Sequence, residues 1–156
     1  MKKLNLYKWS AILFFLVVPI AAICIDDYMV DNERTFVEIA FKWFIFSGIG
    51  LRLGTAGIKQ IIHPQFTAKE IFKISENASF LVRELGFANL CFSILAILSL
   101  FINNFRVPAA ITGGIYFGLA ALLHIFKKKD SDNEVFAMIS DIYIFAVLAI
   151  LLIFNR

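Results

Sequence analysis

Four ionisable side chains stand inside otherwise apolar stretches of the sequence: Arg52, Glu84, His124 and Asp141. A helical residue rises about 1.5 Å along the axis, which places Arg52, Glu84 and Asp141 about 8 to 10 Å inside one membrane boundary. His124 comes shortly before Lys127 and lies near the same boundary. Ionisable groups at membrane depth are costly and normally face the bundle interior, where they pair. We therefore expect the four side chains to meet.

The chemistry expected of this set is charge neutralisation around one guanidinium. Arg52 can serve two acceptors with its planar donors, and we expect it to bridge Glu84 and Asp141. A protonated His124 or a shared proton would complete the balance, so Glu84, His124 and Asp141 are the candidate catalytic or ligand-binding groups. Asn89 joins the binding set through interhelical hydrogen bonding. Two simpler interpretations stay open: an ion-pair network that only fixes helix register, and a His124 that extends to the headgroups.

The composition places these residues in a membrane. Of 156 residues, 60% are hydrophobic and 17% are charged, whereas a soluble domain has about 45 to 50% and about 25%. This excess excludes a cytosolic globule, a disordered chain and a disulfide scaffold. The length fits a single integral membrane domain, residues 1–156, with five helices of about 20 residues each and membrane lipids as neighbours.

The apolar stretches predict an all-α transmembrane bundle with five spans. Pro19 is a tolerated kink in the first span. The second span is the least hydrophobic, carries Glu38 and Lys42 at i and i+4, and ends at His63 because the residue before Pro64 is biased away from helix. The approximate bounds are 9–25, 35–58, 79–102, 107–126 and 135–154, with a short interfacial helix near 67–76.

The basic residues predict how the bundle is oriented. Positive charge favours the cytoplasmic side, and with the N-terminus inside that side collects nine lysines while the outside receives three arginines. We therefore expect an N-in, C-out topology. Small residues at Gly50-x-x-x-Gly54 and Gly114-x-x-x-Gly118 predict close helix packing. The inner set is Lys2, Lys3, Lys8, Lys59, Lys69, Lys73, Lys127, Lys128 and Lys129, and the outer set is Arg34, Arg106 and Arg156.

Metal, haem and nucleic-acid chemistry are not expected from the residue pattern. No ligand pair that includes a histidine stands at i, i+3 or i, i+4. A bis-histidine haem would need His63 and His124 on facing helices, and His63 belongs to a helix end. No basic patch interleaved with aromatic residues indicates nucleic acid. We therefore predict no cofactor and no metal.

One part of the chain resembles a known family. Residues 84–90 carry the element Glu-x-Gly-x-Ala-Asn-Leu, and His-Pro at 63–64 and Thr-Ala-Lys-Glu-Ile at 67–71 precede it. With His124 and Asp141, this pattern over residues 45–150 resembles small bacterial membrane proteins of unknown function related to DoxX. The resemblance implies a compact helical bundle in the bacterial inner membrane and at most a loose association with membrane redox or sulfur metabolism.

Three functions follow from these observations. The leading hypothesis is a non-enzymatic integral membrane protein whose inner-leaflet polar pocket binds or passes a small or lipid-like ligand, or docks a partner subunit. The alternative is a membrane-embedded enzyme that uses Glu84 or His124 as a proton carrier in acid/base chemistry on a lipid-like substrate. The third is a structural accessory subunit of a membrane redox complex or a homo-oligomer, with glycine faces between chains.

Overall fold

The structure is all-helical, as the sequence predicts. This computed structural model describes residues 6–29, 34–72, 74–126 and 132–155, and no strand occurs in that part. Single 3-10 turns at Glu76–Ala78 and Asn103–Phe105 precede the fourth and fifth helices. The helices are α1 (Leu6–Met29), α2 (36–62), α3 (64–72), α4 (Ser79–Leu98), α5 (Arg106–Phe126) and α6 (Asp132–Phe154).

The ends of α2 follow local sequence signals. Thr35 Oγ1 accepts a hydrogen bond from the Glu38 N–H at 3.3 Å, and the Glu38 carboxylate accepts from the Thr35 N–H at 2.8 Å. This capping box satisfies two backbone donors at the start of the helix. The other end is His63, before Pro64, as predicted, although the helix continues past residue 58 to Ile62. The Glu38 carboxylate is therefore used at the helix start.

Four helices have the length and the hydropathy of membrane spans: Leu6–Met29, Ser79–Leu98, Asn103–Phe126 and Asp132–Phe154. Four apolar helices of this length are the mark of a membrane protein. The predicted second span forms a helix, α2, but its polar residues keep it outside this group. The short helix expected near 67–76 forms as α3, which ends at Phe72, and its interfacial position stays a prediction. Residue 73 lies outside the described residues.

Several of the basic residues that predict the orientation lie in segments that the structure does not describe. The lysines at 2, 3, 73 and 127–129 and the arginine at 156 lie outside the described residues. The N-in, C-out topology therefore stays a prediction.

The centre of the bundle is α2. Its residues Phe41, Ile45 and Ile49 are fully buried, and the helix contacts α1, α4, α5 and α6. Along α1 and α2 the contacts run in opposite directions, since Asp26 faces Lys42 whereas Phe14 faces Ser47. The two helices are therefore antiparallel, and α2 presents its polar side chains to several neighbours at once.

A proline in α1 leaves a backbone carbonyl that α2 satisfies. Leu13–Val17 is a π-helical turn in which the Val18 N–H donates to the Leu13 carbonyl. The next donor along the chain would come from Pro19, which has no N–H, so the Phe14 carbonyl loses its partner within the helix. Ser47 Oγ donates to this carbonyl at 2.6 Å from a second π-helical segment, Ile45–Leu51. Membrane helices tolerate proline where a neighbouring hydroxyl makes such a bond.

Small residues bring α2 and α4 into close contact. A Cβ on Gly57 would lie 2.8 Å from the carbonyl oxygen of Gly86, and a Cβ on Gly86 would lie 2.9 Å from the carbonyl oxygen of Gly57. Ser93 Oγ donates to the Gly50 carbonyl at 2.7 Å, and Gly54 lies against the same serine. The Gly50-x-x-x-Gly54 pattern therefore serves packing within the chain.

Candidate functional site

Arg52 sits at the start of the last α-helical part of α2, directly after the π-helical segment that ends at Leu51. Its guanidinium carbon lies 5.1 Å from the ring centre of Tyr7 and 5.9 Å from that of Phe15, both on α1. The rings provide cation–π contacts to a charge away from bulk water. The Nε atom of Arg52 is buried and has no hydrogen-bond partner.

His124 and Asp141 approach each other between α5 and α6. The distance from His124 Nε2 to Asp141 Oδ2 is 3.9 Å, and their side chains are 27% and 14% exposed. The side-chain oxygen of Asp141 also lies in the electrostatic field of Arg52, although no direct ion pair joins these two described residues. The Tyr7 hydroxyl interacts with the charges of Arg52 and Asp141. His124 therefore faces Asp141 across the contact between α5 and α6, while the predicted direct bridge from Arg52 to Asp141 is not formed between these described residues.

Asn89 adds an amide to the same region. Its Nδ2 donates to Gln60 Oε1 at 2.8 Å between α4 and α2, the interhelical hydrogen bond expected of it. Its Oδ1 is buried without a partner. The Tyr116 hydroxyl interacts with Asn89 and lies in the electrostatic field of Arg52 and Asp141. We call this group of six side chains the interior cluster: Tyr7, Arg52, Asn89, Tyr116, His124 and Asp141.

The expected bridge from Arg52 to Glu84 is not formed. Glu84 is exposed on α4, and no hydrogen bond or ion pair joins it to Arg52 or Asp141. The buried residues of α4 fall on one stripe that contains Val82, Gly86, Asn89, Ser93 and Ala96. Glu84 is two residues from Gly86, which turns it about 200° around the helix from that stripe. The spacing in the sequence gives the depth of Glu84 along the helix axis, whereas its direction depends on which stripe of α4 is buried.

A second polar group, which we did not predict, lies at the opposite end of α1. Asp26 is only 6% exposed, and Lys42 Nζ donates to its carboxylate. Trp43 Nε1 donates to the same oxygen at 2.8 Å, and Arg34 lies 3.5 Å from the other oxygen. Lys42 thus pairs with Asp26, and the expected i, i+4 pair with Glu38 is not observed. Pro19, Ile23 and Asp26 are all buried and are spaced three to four residues apart. This helical spacing is the sequence signal that puts Asp26 on the buried side of α1.

Asp26 and its three partners, Arg34, Lys42 and Trp43, form a closed set that we call the Asp26 cluster. Lys42 and Trp43 donate to one carboxylate oxygen and Arg34 approaches the other, so the carboxylate has partners on both sides. The interior cluster differs, because it holds one buried donor and one buried acceptor without partners. The interior cluster is therefore the better candidate for a ligand site.

The chemistry available to the interior cluster is recognition and proton transfer. Within the described ranges, no three His, Cys, Asp or Glu side chains come together to hold a metal ion. The cluster offers a guanidinium, two phenols, an amide and a His–Asp pair, which bind oxyanions and hydroxyl groups. Nothing in the sequence distinguishes Tyr7 or Tyr116 as a site residue, since a lone tyrosine in an apolar stretch gives no spacing signal.

Comparison with known proteins identifies a family over almost the whole chain. The description of that family is "Family of unknown function (DUF6790)", and it matches residues 9–156. The chain belongs to this DUF6790 family. No curated protein and no solved structure matches it. The DUF6790 match includes every residue of the interior cluster except Tyr7, which lies just before the matched range.

Proposed function

We propose that this chain is a non-enzymatic integral membrane protein that binds a small or lipid-like ligand at the interior cluster. The observation that carries the proposal is the pair of unpartnered buried atoms, Arg52 Nε and Asn89 Oδ1. A buried polar group without a partner costs about 1 to 3 kcal/mol, and more when it is charged. A ligand that bonds to both atoms would offset this cost.

The position of the cluster supports ligand access. Arg52, Tyr116 and Asp141 are each partly exposed, whereas Asn89 is buried. We place the entrance for the ligand at these partly exposed side chains, from which the ligand would extend inward to the Asn89 amide. Release of the same ligand at this entrance would make the protein a carrier.

The experiment is native mass spectrometry of the gently extracted full chain. We expect the wild type to retain a bound species that Arg52→Gln loses. Arg83→Gln is the matched control, because Arg83 lies on the exposed side of α4. The melting temperature of each variant separates loss of ligand from loss of fold. A wild type with no bound species, or equal retention by Arg52→Gln, would contradict the proposal.

A membrane-embedded acid/base enzyme is the second candidate, and the His124–Asp141 pair is the observation that favours it. A carboxylate beside an imidazole can orient it and support proton transfer. The exposed Glu84 is no longer needed in such a mechanism. Conversion of a bound lipid-like substrate by the wild type, and its absence in His124→Gln with the same bound species retained, would favour the enzyme over the binding protein.

We further propose that α2 also spans the membrane, which gives the bundle five spans. The buried polar side chains of α2 would then face the other helices, as polar groups inside a membrane do. The N-in, C-out topology, the bacterial inner membrane and the relation to DoxX belong to the same proposal. A role as an accessory subunit or a homo-oligomer would use other surfaces than the α2 glycines, because these pack within the chain: Gly50, Gly54 and Gly57 against α4, and Gly48 against α6 and α1.

A further inference from the structure

We infer that the ligand of the interior cluster is an oxyanion that carries a neighbouring hydroxyl group on an apolar body, as in phosphatidylglycerol or a free hydroxy fatty acid. This inference rests on the proposed function, since it names the class of ligand for the same site. Three features support it: the charge of Arg52, the ring contacts around it and the Asn89 amide.

The charge of Arg52 calls for an anion. Among the described residues, Asp141 is the carboxylate that interacts electrostatically with Arg52. The Oδ2 atom of Asp141 also lies 3.9 Å from His124 Nε2. The guanidinium thus has no carboxylate in direct contact, while its Nε is buried without an acceptor. Guanidinium groups bind carboxylate and phosphate oxygens through two parallel hydrogen bonds. An oxyanion at Arg52 would supply the missing acceptor and balance the charge.

The surroundings of Arg52 favour an apolar body on that anion. Phe15, which lies against the guanidinium, contacts Phe117 with ring centres 5.6 Å apart. Phe117 contacts Tyr116 at 5.7 Å, and Tyr116 contacts Phe92 at 5.3 Å. These rings form a continuous series from α1 across α5 to α4. Phe15 and Phe117 are buried in the core, so the partly exposed rings of Phe92 and Tyr116 are the ones that an apolar body on the ligand could contact. An acyl chain can pack against these ring faces, whereas a small inorganic anion would leave them unused.

The Asn89 amide offers an acceptor for a donor group on the ligand. Its Nδ2 is already bonded to Gln60, and the atom that remains, Oδ1, can only accept. A hydroxyl group on the ligand would donate to this oxygen. A plain fatty acid, whose anion can only accept, would leave Asn89 Oδ1 without a partner. The hydroxyl therefore distinguishes the inferred ligand from other anionic lipids.

The test uses the full chain in nanodiscs of phosphatidylcholine, with binding measured by native mass spectrometry. One arm adds phosphatidylglycerol and the other adds 3-hydroxymyristate, so that a membrane source and a free source of the same chemistry are compared. Diacylglycerol, which lacks the anion, and myristate, which lacks the hydroxyl, are the comparators. We expect binding in at least one arm about tenfold tighter than to either comparator.

Substitutions test whether the ligand binds at the interior cluster. Arg52→Gln should weaken the anionic ligand about tenfold or more, and Arg83→Gln should leave it unchanged. Asn89→Leu should remove the preference for the hydroxylated ligand over myristate. The comparison between ligands on the wild type needs no variant, so the inference stays falsifiable if a substituted chain fails to fold.

The outcomes separate this inference from the proposed function. If diacylglycerol or myristate binds as tightly as the hydroxylated anions, the inferred ligand class is wrong, while a site at the interior cluster stands if Arg52→Gln or Asn89→Leu weakens that binding. If the wild type binds none of the four and also carries no species on extraction, both fail. Equal binding of the hydroxylated anions by wild type and Arg52→Gln overturns the placement of the anion at Arg52.

Discussion

Ser47 on α2 donates its hydroxyl to the backbone carbonyl of Phe14 on α1 at 2.6 Å. That carbonyl lacks a donor in its own helix, because the Val18 N–H is used by Leu13 and Pro19 has none. The bond joins the two π-helical segments of α1 and α2 next to the residues that contact Arg52. The proline and the serine are therefore a matched pair across the helix interface.

Ser47→Ala should lower the free energy of unfolding by about 1 to 3 kcal/mol, because it leaves a buried carbonyl unpaired. Pro19→Ala restores an N–H that can bond to Phe14 within α1. In the Pro19→Ala background, Ser47→Ala should lower the free energy of unfolding by about 1 kcal/mol less than it does in the wild type. A double-mutant cycle, with unfolding followed by titration with sodium dodecyl sulfate, measures this coupling. The same cost in both backgrounds would show that the two residues do not share the carbonyl.

The contact between Gly57 and Gly86 predicts a strong effect of a single methyl group. A Cβ at residue 57 would meet the Gly86 carbonyl at 2.8 Å, and backbone cannot move aside without separating α2 from α4. We expect Gly57→Ala to destabilise the protein by about 2 kcal/mol through overpacking. The measurement is the melting temperature in one detergent.

Gly114→Ala is the control for this substitution. A Cβ there would meet nothing within 4 Å, and alanine favours the helix by about 1 kcal/mol over glycine. Gly114→Ala should therefore be neutral or stabilising. If Gly57→Ala and Gly114→Ala shift the melting temperature equally, the close approach of α2 and α4 is not as described.

Asp26→Asn should be among the most destabilising polar substitutions in the chain. Asp26 and Lys42 are 6% and 8% exposed, so the change leaves a buried ammonium without its counter-charge. Breaking a buried pair in this way costs about 3 to 5 kcal/mol. Asp27→Asn removes the neighbouring carboxylate, which is exposed, and should change stability by no more than about 0.5 kcal/mol. Similar unfolding midpoints for the two variants would disprove a structural role for the Asp26 cluster.

The sequence predicts the helices better than the contacts between them. Apolar runs and the His63-Pro64 signal place the helix ends because those signals are local. The partner of Lys42 is on another helix, 16 residues away, whereas Glu38 is used in a capping box. No local sequence signal shows whether Asp26 or Glu38 pairs with Lys42, because the packing of the helices decides it.

The candidate site shows the same limit. Arg52, His124 and Asp141 come together because charged groups in apolar helices turn inward, a rule that needs no structure. Glu84 obeys a different rule, since a charged side chain on the exposed side near a helix end can extend to the interface. The buried spacing of Gly86, Asn89 and Ser93 distinguishes the two cases, and a helical projection of α4 would have placed Glu84 outside the cluster.

The proposed topology can be tested with two engineered cysteines. Asn104 and Gln65 are exposed in the segments before α5 and after α2. In a chain with Cys24→Ala and Cys91→Ala, a five-span N-in bundle puts Asn104→Cys outside and Gln65→Cys inside. A membrane-impermeant maleimide should label Asn104→Cys in intact cells and Gln65→Cys only after permeabilisation, with the double alanine chain as the unlabelled control. The opposite labelling pattern would indicate the opposite orientation. Labelling of both sites from outside would mean that the chain between them does not cross the membrane as a single span.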